Sequence, residues 1–171
     1  PLSFTRLCNM IKAVGVSCST STVIEYLNHF TDSCLIFSVQ NFASRFVEKA
    51  TTKKFYFVDN GLLNLFLLNN QSALLENICA IEMKKRYGTR LYYYLHNIEV
   101  DFYVPDENLA IQVSYKLADE NTIKRETDAL LKLHKLHPLN KAIIITKDEE
   151  KTITKNDLNI EFIPVWKWLL Q

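Results

Sequence analysis

Apolar residues recur at helical spacing at the start of the chain, where Phe4, Leu7 and Ile11 predict a helix over 3–13 that stops at Gly15. A second stripe, Val23, Leu27 and Phe30, predicts a helix over 19–33, with Thr22 and Glu25 spaced as a capping box. The segments "CLIFSVQNF" and "KKFYFVD" then read as strands on either side of the looser "ASRFVEKATT". Two helices followed by a two-stranded wing is the order of a winged-helix module, expected over residues 1–60.

Past the turn "VDNGLL", where Asp59 or Asn60 caps the next helix, the pattern changes. "LLNLFLLNNQSALLENICAIEMKKRYG" predicts a short apolar helix and then a longer one with Leu75, Ile78 and Cys79 on one side. The cations of "KKR" precede Gly88, where the helix dipole favours them. "TRLYYYLHN" and "IEVDFYVPD" read as paired strands and "LAIQVSY" as a third. "DENTIKRETDALLKLHKL" is an amphipathic helix with Asp119 or Asn121 as its cap, and "KAIIIT" has the wholly apolar run of a strand covered on both faces. "IEFIPVWKWLL" closes the chain as a strand, a turn at Pro164 and a short helix. The sum is an α/β fold, with a mixed-sheet domain expected over residues 61–171.

At 171 residues and 48% hydrophobic content the chain can bury a real core, and three glycines without repeats exclude collagen-like or low-complexity classes. Twenty basic and nineteen acidic side chains leave no overall electrostatic footprint for nucleic acid. The helix over 19–33 has no Lys or Arg and carries Glu25 and Asp32, which disfavours insertion into a groove. A nucleic-acid contact would fall instead on the basic wing, Arg45, Lys49, Lys53 and Lys54, whose bland reading is a solvated loop. Cys8, Cys18, Cys34 and Cys79 form no CxxC pair and read as reduced core thiols. The apolar run "GLLNLFLL" is far short of the roughly 20 residues that cross a bilayer, so a soluble, cytoplasmic protein without membrane association is expected. A start at Pro1, directly before a helical pattern, suggests a piece of a longer polypeptide.

Candidate chemistry lies in "IEVDFYVPDENLAIQVSYK". Strand alternation places Glu99 and Asp101 on one face with Val100 and Phe102 on the other, and likewise Gln112, Ser114 and Lys116 opposite Ile111, Val113 and Tyr115. Neighbouring strands would let Asp101 and Gln112 converge with Glu76, the carboxylate that interrupts an apolar helix face. Such oxygen ligands suit Mg2+ or Mn2+, which would orient water for attack on a phosphodiester. The purely structural alternative has Glu99 and Asp101 facing solvent and Glu76 paired with Lys84, Arg86 or a neighbouring strand. His134 and His137 have ligand-like spacing but no acidic or thiol partner nearby, and Trp166 and Trp168 read as packing of the last helix or as a docking surface.

The segments "KKFYFVDNGLL", "LLENICAIEMKKR", "YYYLHNIEVDFYV", "AIQVSYKL", "TIKRETDALL" and "IEFIPVWKWLL" resemble the C-terminal domain of unknown function of a large group of microbial AAA-type ATPases. The resemblance covers essentially the whole chain. It implies a winged-helix segment followed by a domain similar to the PD-(D/E)XK restriction-endonuclease-like fold. That fold sets a helix glutamate, a strand aspartate and a (D/E)-x-K element around its metals, which here fall on Glu76, Asp101 and Gln112-Val113-Ser114. The last departs from the pattern: Gln112 brings no charge, Ser114 replaces the lysine, and Lys116 is the nearest substitute. With Gly15, Gly61 and Gly88 as the only glycines, no GxxxxGK[ST] loop exists, so ATP would bind only in an ATPase domain of the same polypeptide. Three functions follow as expectations. The first is a non-catalytic interaction or regulatory module partnered by that ATPase domain or another protein. The others are a Mg2+- or Mn2+-dependent nuclease and a nucleic-acid-binding platform without cleavage.

Overall fold

The β-branched and aromatic runs between residues 36 and 164 pair into one eight-stranded mixed sheet in the computed structural model, which describes residues 3–43, 53–67, 70–116 and 120–171. The strands are β1 (Ile36–Asn41), β2 (Lys53–Phe57), β3 (Tyr92–Leu95), β4 (Glu99–Val104), β5 (Leu109–Ser114), β6 (Lys141–Thr146), β7 (Lys151–Lys155) and β8 (Leu158–Pro164). Their order across the sheet is β2-β1-β3-β4-β5-β6-β8-β7. The helices are α1 (Phe4–Ala13), α2 (Thr20–Asp32), α3 (Asn60–Phe66), α4 (Gln71–Tyr87), α5 (Glu120–Leu136) and α6 (Val165–Leu169).

Local chemistry sets the helix ends. Ser3 caps α1 by accepting from the Arg6 N–H, and the helix stops before Gly15, whose φ of 86° suits glycine. The cap of α2 is Ser19, not the Thr22 of the expected capping box: its Oγ accepts from the Thr22 N–H at 3.1 Å. Asp59 caps α3 and Asn70 caps α4, which ends at Gly88 with φ 56°. Of the two caps expected for α5, Asp119 lies outside the described residues and Asn121 sits inside the helix.

Each face of the sheet has its own core. One holds Met83 and Cys79 of α4 and Trp168 of α6 against Phe102, Ile111, Ile143 and Ile145. The other packs Leu130 and Leu133 of α5 against Val100, Ala110, Ala142 and Ile144. This explains the unbroken apolarity of β6: β5 and β8 flank it in parallel, and its side chains enter both cores alternately.

Three features depart from the expected layout. The β1–β2 hairpin is not a free-standing wing but one edge of the sheet, because β1 runs parallel to β3 with Gln40 opposite Tyr92 and Asn41 opposite Tyr93. Residue 60 therefore falls at a strand-to-helix turn beside a sheet that continues across it. Edge strand β7 was not anticipated. Its "KTITK" alternation turns into β8 through Asn156 and Asp157, both at positive φ (51° and 61°), as a two-residue hairpin requires. Finally, all four thiols are free, but only Cys8 and Cys79 are buried; Cys34 is exposed. Among the described residues no helix is long and apolar enough to cross a membrane.

Candidate functional site

The site forms where β4 and β5 part. Their ladder runs from Val104 opposite Leu109 to Phe102 opposite Ile111. On the other side of β4 the register with β3 shifts between Tyr92 and Tyr94, the mark of a bulge. The bulge breaks the strict alternation expected of "EVDF": Val100 enters the core under α5 and Phe102 the core under α4. Side chains replace the missing ladder. The Asp101 N–H donates to Gln112 Oε1 at 2.8 Å, and the Val113 N–H donates to Asp101 Oδ2 at 3.1 Å.

Glu99 and Asp101 nevertheless converge, and what they converge on is Lys54. Its Nζ lies 2.9 Å from Glu99 Oε1, 3.0 Å from Asp101 Oδ1 and 3.4 Å from Glu76 Oε1. The Tyr56 hydroxyl donates to the same Glu76 oxygen at 2.8 Å. Lys54 and Tyr56 share one face of β2 by strand alternation. Thus Glu76 pairs with neither Lys84, which donates to the Gly88 carbonyl, nor Arg86, which pairs with Glu82.

Only 11% of the Lys54 side chain is exposed, against 16% for Asp101, 33% for Glu76 and 44% for Glu99. Burial alone would lower the Lys54 pKa, but Asp101 and Glu76, with Glu99, overcome it and raise the pKa. Asp101 is pushed up to about 6, first by burial and then by Glu76, although Lys54 acts against both. Both partners shift upward because one ammonium is shared among three carboxylates, and the most buried acid is left under-compensated. The Cys79 thiol and the Tyr56 hydroxyl are raised as well, chiefly by burial and then by the same carboxylates.

Gln112 is tied elsewhere. While its oxygen accepts from Asp101, its Nε2 donates to the Glu99 carbonyl at 3.1 Å and to Glu126 Oε2 of α5 at 2.9 Å. Arg125 holds the other oxygen of Glu126 at 2.6 Å. A cleft of about 610 Å³ opens between α4 and α5, and its wall carries the carboxylates of Glu76, Glu99, Asp101, Glu126 and Asp128 against the cations of Lys54, Arg125 and Lys132.

Of the ligand set expected from the sequence, Glu76 and Asp101 come together, Gln112 does not join them, and Glu99 takes the third place. Lys116 is exposed and outside the cleft wall, and Ser114 donates to its carbonyl. Arg45 and Lys49 lie outside the described residues; Lys53 is half-buried, and Lys54 faces inward rather than into solvent. His134 accepts from the Leu139 N–H, while His137 packs against Phe42, Tyr94 and Tyr103. Trp168 is buried under the Arg86 guanidinium and Trp166 is exposed. Sequence reasoning missed the inward role of Lys54 and the structural roles of Glu126 and Asn77. The available signal was "KKFYF", in which Lys54 shares its face with a tyrosine destined for the core.

Mg2+ or Mn2+ does not fit this arrangement. Oxygen ligands of Mg2+ stand at about 2.1 Å, whereas these carboxylates are spaced around an ammonium that already occupies their meeting point. Among the described residues no group of three or more His, Cys, Asp or Glu side chains is placed to hold a metal ion.

The model of a domain of unknown function, DUF8612, matches residues 1–73. An uncharacterized protein of Methanocaldococcus jannaschii is 34% identical over 182 residues, an alignment covering 99% of this chain. The chain spans only 41% of that relative's length. No solved structure matches it.

Proposed function

We propose that this chain is a non-catalytic interaction or regulatory region of an AAA-type ATPase. In this reading a winged-helix segment over residues 1–60 joins a PD-(D/E)XK restriction-endonuclease-like domain over 61–171 whose catalytic site has degenerated. The order α4-β3-β4-β5-α5-β6, with Glu76 on the helix and Asp101 on the middle strand, supports the architecture. One observation carries the loss of catalysis: the Lys54 ammonium sits among the three carboxylates where a metal would be needed. The excess of acids on the cleft wall also repels a phosphodiester. ATP binds only in the ATPase part of the longer polypeptide, and that part is the partner.

Calorimetric titration of Mn2+ into this chain and into Asp101→Ala tests the reading. No saturable heat is expected in either; saturable binding lost in the variant would overturn it. Association with the ATPase region is expected in the same buffer.

A second reading, a Mg2+- or Mn2+-dependent nuclease, is favoured by the surplus of three carboxylates over one ammonium. That reading needs the Lys54 ammonium to leave the carboxylates first, since Mg2+ or Mn2+ does not fit while it sits among them. It requires Mn2+-dependent cutting of DNA or RNA that disappears in Asp101→Ala. Of the four cations of the platform reading, Lys54 points inward, Lys53 is half-buried, and Arg45 and Lys49 lie outside the described residues.

A further inference from the structure

We propose that Lys54 is a built-in cation: its ammonium takes the place of a divalent metal among Glu76, Glu99 and Asp101, so the acidic site carries its own counter-ion on strand β2. The inference rests on the non-catalytic reading above and gives it a mechanism.

Four observations converge on it. A single atom, Lys54 Nζ, lies between 2.9 and 3.4 Å from carboxylate oxygens supplied by two separate elements, α4 and β4. These are nitrogen-to-oxygen spacings, whereas a small divalent ion would need the oxygens drawn in to about 2.1 Å. Second, a lysine ordinarily lays its stem along apolar surface and keeps its ammonium in water. Lys54 instead buries the head group beside the Tyr93 ring, 5.4 Å from its centroid, a placement that costs too much without compensating charge.

Third, the backbone imposes the position. The end of β2 is fixed to α4 by Asn77, whose Oδ1 accepts from the Phe57 N–H at 2.9 Å and whose Nδ2 donates to the Phe57 carbonyl at 3.1 Å. Fourth, the amide that would have completed a metal shell is committed to other work: Gln112 holds the Asp101 N–H and the Glu99 carbonyl, fixing the backbone from which both acids project. The carboxylates of Glu76, Glu99 and Asp101 thus meet around a cation attached to the chain.

The test is to remove the charge while keeping the volume. Lys54→Met leaves the three carboxylates without a cation, and Glu99, 44% exposed, has the freedom to close on a smaller ion. With Mn2+ as the probe, calorimetry on the whole chain is expected to show no saturable binding in the wild type. Lys54→Met should bind one equivalent saturably, at least about tenfold tighter than the detection limit that the wild type fails to reach, a difference of ~1.4 kcal/mol. Mn2+ should also raise the melting temperature of Lys54→Met above that seen at matched ionic strength in NaCl, and adding Glu99→Gln should remove the gain.

A folded Lys54→Met that binds Mn2+ no better than the wild type overturns the proposal and leaves the non-catalytic reading standing. Saturable binding by the wild type itself, lost in Asp101→Ala, overturns that reading first. If Lys54→Met does not fold unaided, Mn2+ is expected to restore its native circular dichroism. Failure to do so, where NaCl also fails, counts against the built-in cation.

Discussion

One ammonium and three carboxylates cannot satisfy one another equally, and the imbalance makes the site sensitive to pH. The Asp101 carboxyl has a folded pKa near 6 against an ordinary 3.8, so between those values the folded chain holds a proton that the unfolded chain has released. Stability contributed by this group therefore falls as pH rises through that window. Glu99 acts in the opposite sense: burial by itself would raise its pKa, but the hydrogen bond from Lys54 and the Lys54 charge act together to lower it, so its contribution is lost on acidification below the ordinary value of 4.5. Between pH 4.5 and 6.5 the Asp101 effect dominates, and thermal melts of Asp101→Asn should show a smaller loss of melting temperature with rising pH than the wild type. Equal slopes would show that Asp101 does not hold a proton there. Removing the cation is harsher: Lys54→Met should cost about 3 kcal/mol in urea unfolding near pH 7, the low end for breaking a buried pair because Glu76 and Glu99 reach solvent. A loss under about 1 kcal/mol would place the ammonium in water, as an exposed pair would have it.

At the scale of elements, two buried asparagines attach the β1–β2 hairpin to the rest of the sheet and its covering helix. Asn41 accepts from the Leu95 N–H at 2.9 Å and donates to the Leu95 carbonyl at 2.8 Å, extending the short β1–β3 pairing. Asn77 does the same for Phe57, and its Nδ2 also reaches Asn60 Oδ1 at 3.1 Å. Asn77→Ala would leave the Phe57 peptide without these partners, at a cost of about 2 kcal/mol. Amide exchange should speed up first at Phe57; unchanged protection there would mean that the pairing with β1 alone holds β2. These contacts explain what could be read from sequence and what could not. The helices announced themselves through apolar spacing, and β1 to β6 and β8 through aromatic and β-branched runs. A side chain that imitates a backbone ladder has no period, so neither clamp was visible. Glu76 and Asp101 were recognisable as a pair, but the bulge in β4 hid which neighbours they meet. Lys54, more than forty residues before Asp101, looked like one cation among several in a basic loop. Short β7, with a single half-buried apolar residue, carried too weak an alternation to stand out.

For the whole molecule, the continuous sheet makes the segment before residue 60 and the segment after it depend on each other. The first supplies the lysine that neutralises the acids of the second, and β1 covers the edge of β3 that would otherwise present Tyr92 and Tyr93 to solvent. The second supplies α4, to which β2 is fixed, whereas α1 and α2 together bury only Cys8 and Val23. Unfolding should therefore be a single transition for the sheet. In Trp166→Phe the fluorescence of Trp168 reports the core under α4, far-UV circular dichroism reports the whole, and the two urea curves should coincide. Two separated midpoints would show instead that the halves are independent. The same dependence predicts that residues 61–171 expressed alone will be markedly less stable than the full chain, with an uncovered strand edge and an acidic cluster that has lost its cation. If the shorter piece melts cooperatively at the temperature of the full chain, then neither Lys54 nor the β1–β3 pairing contributes appreciably to the fold, and the architecture is two separable units that merely share a sheet.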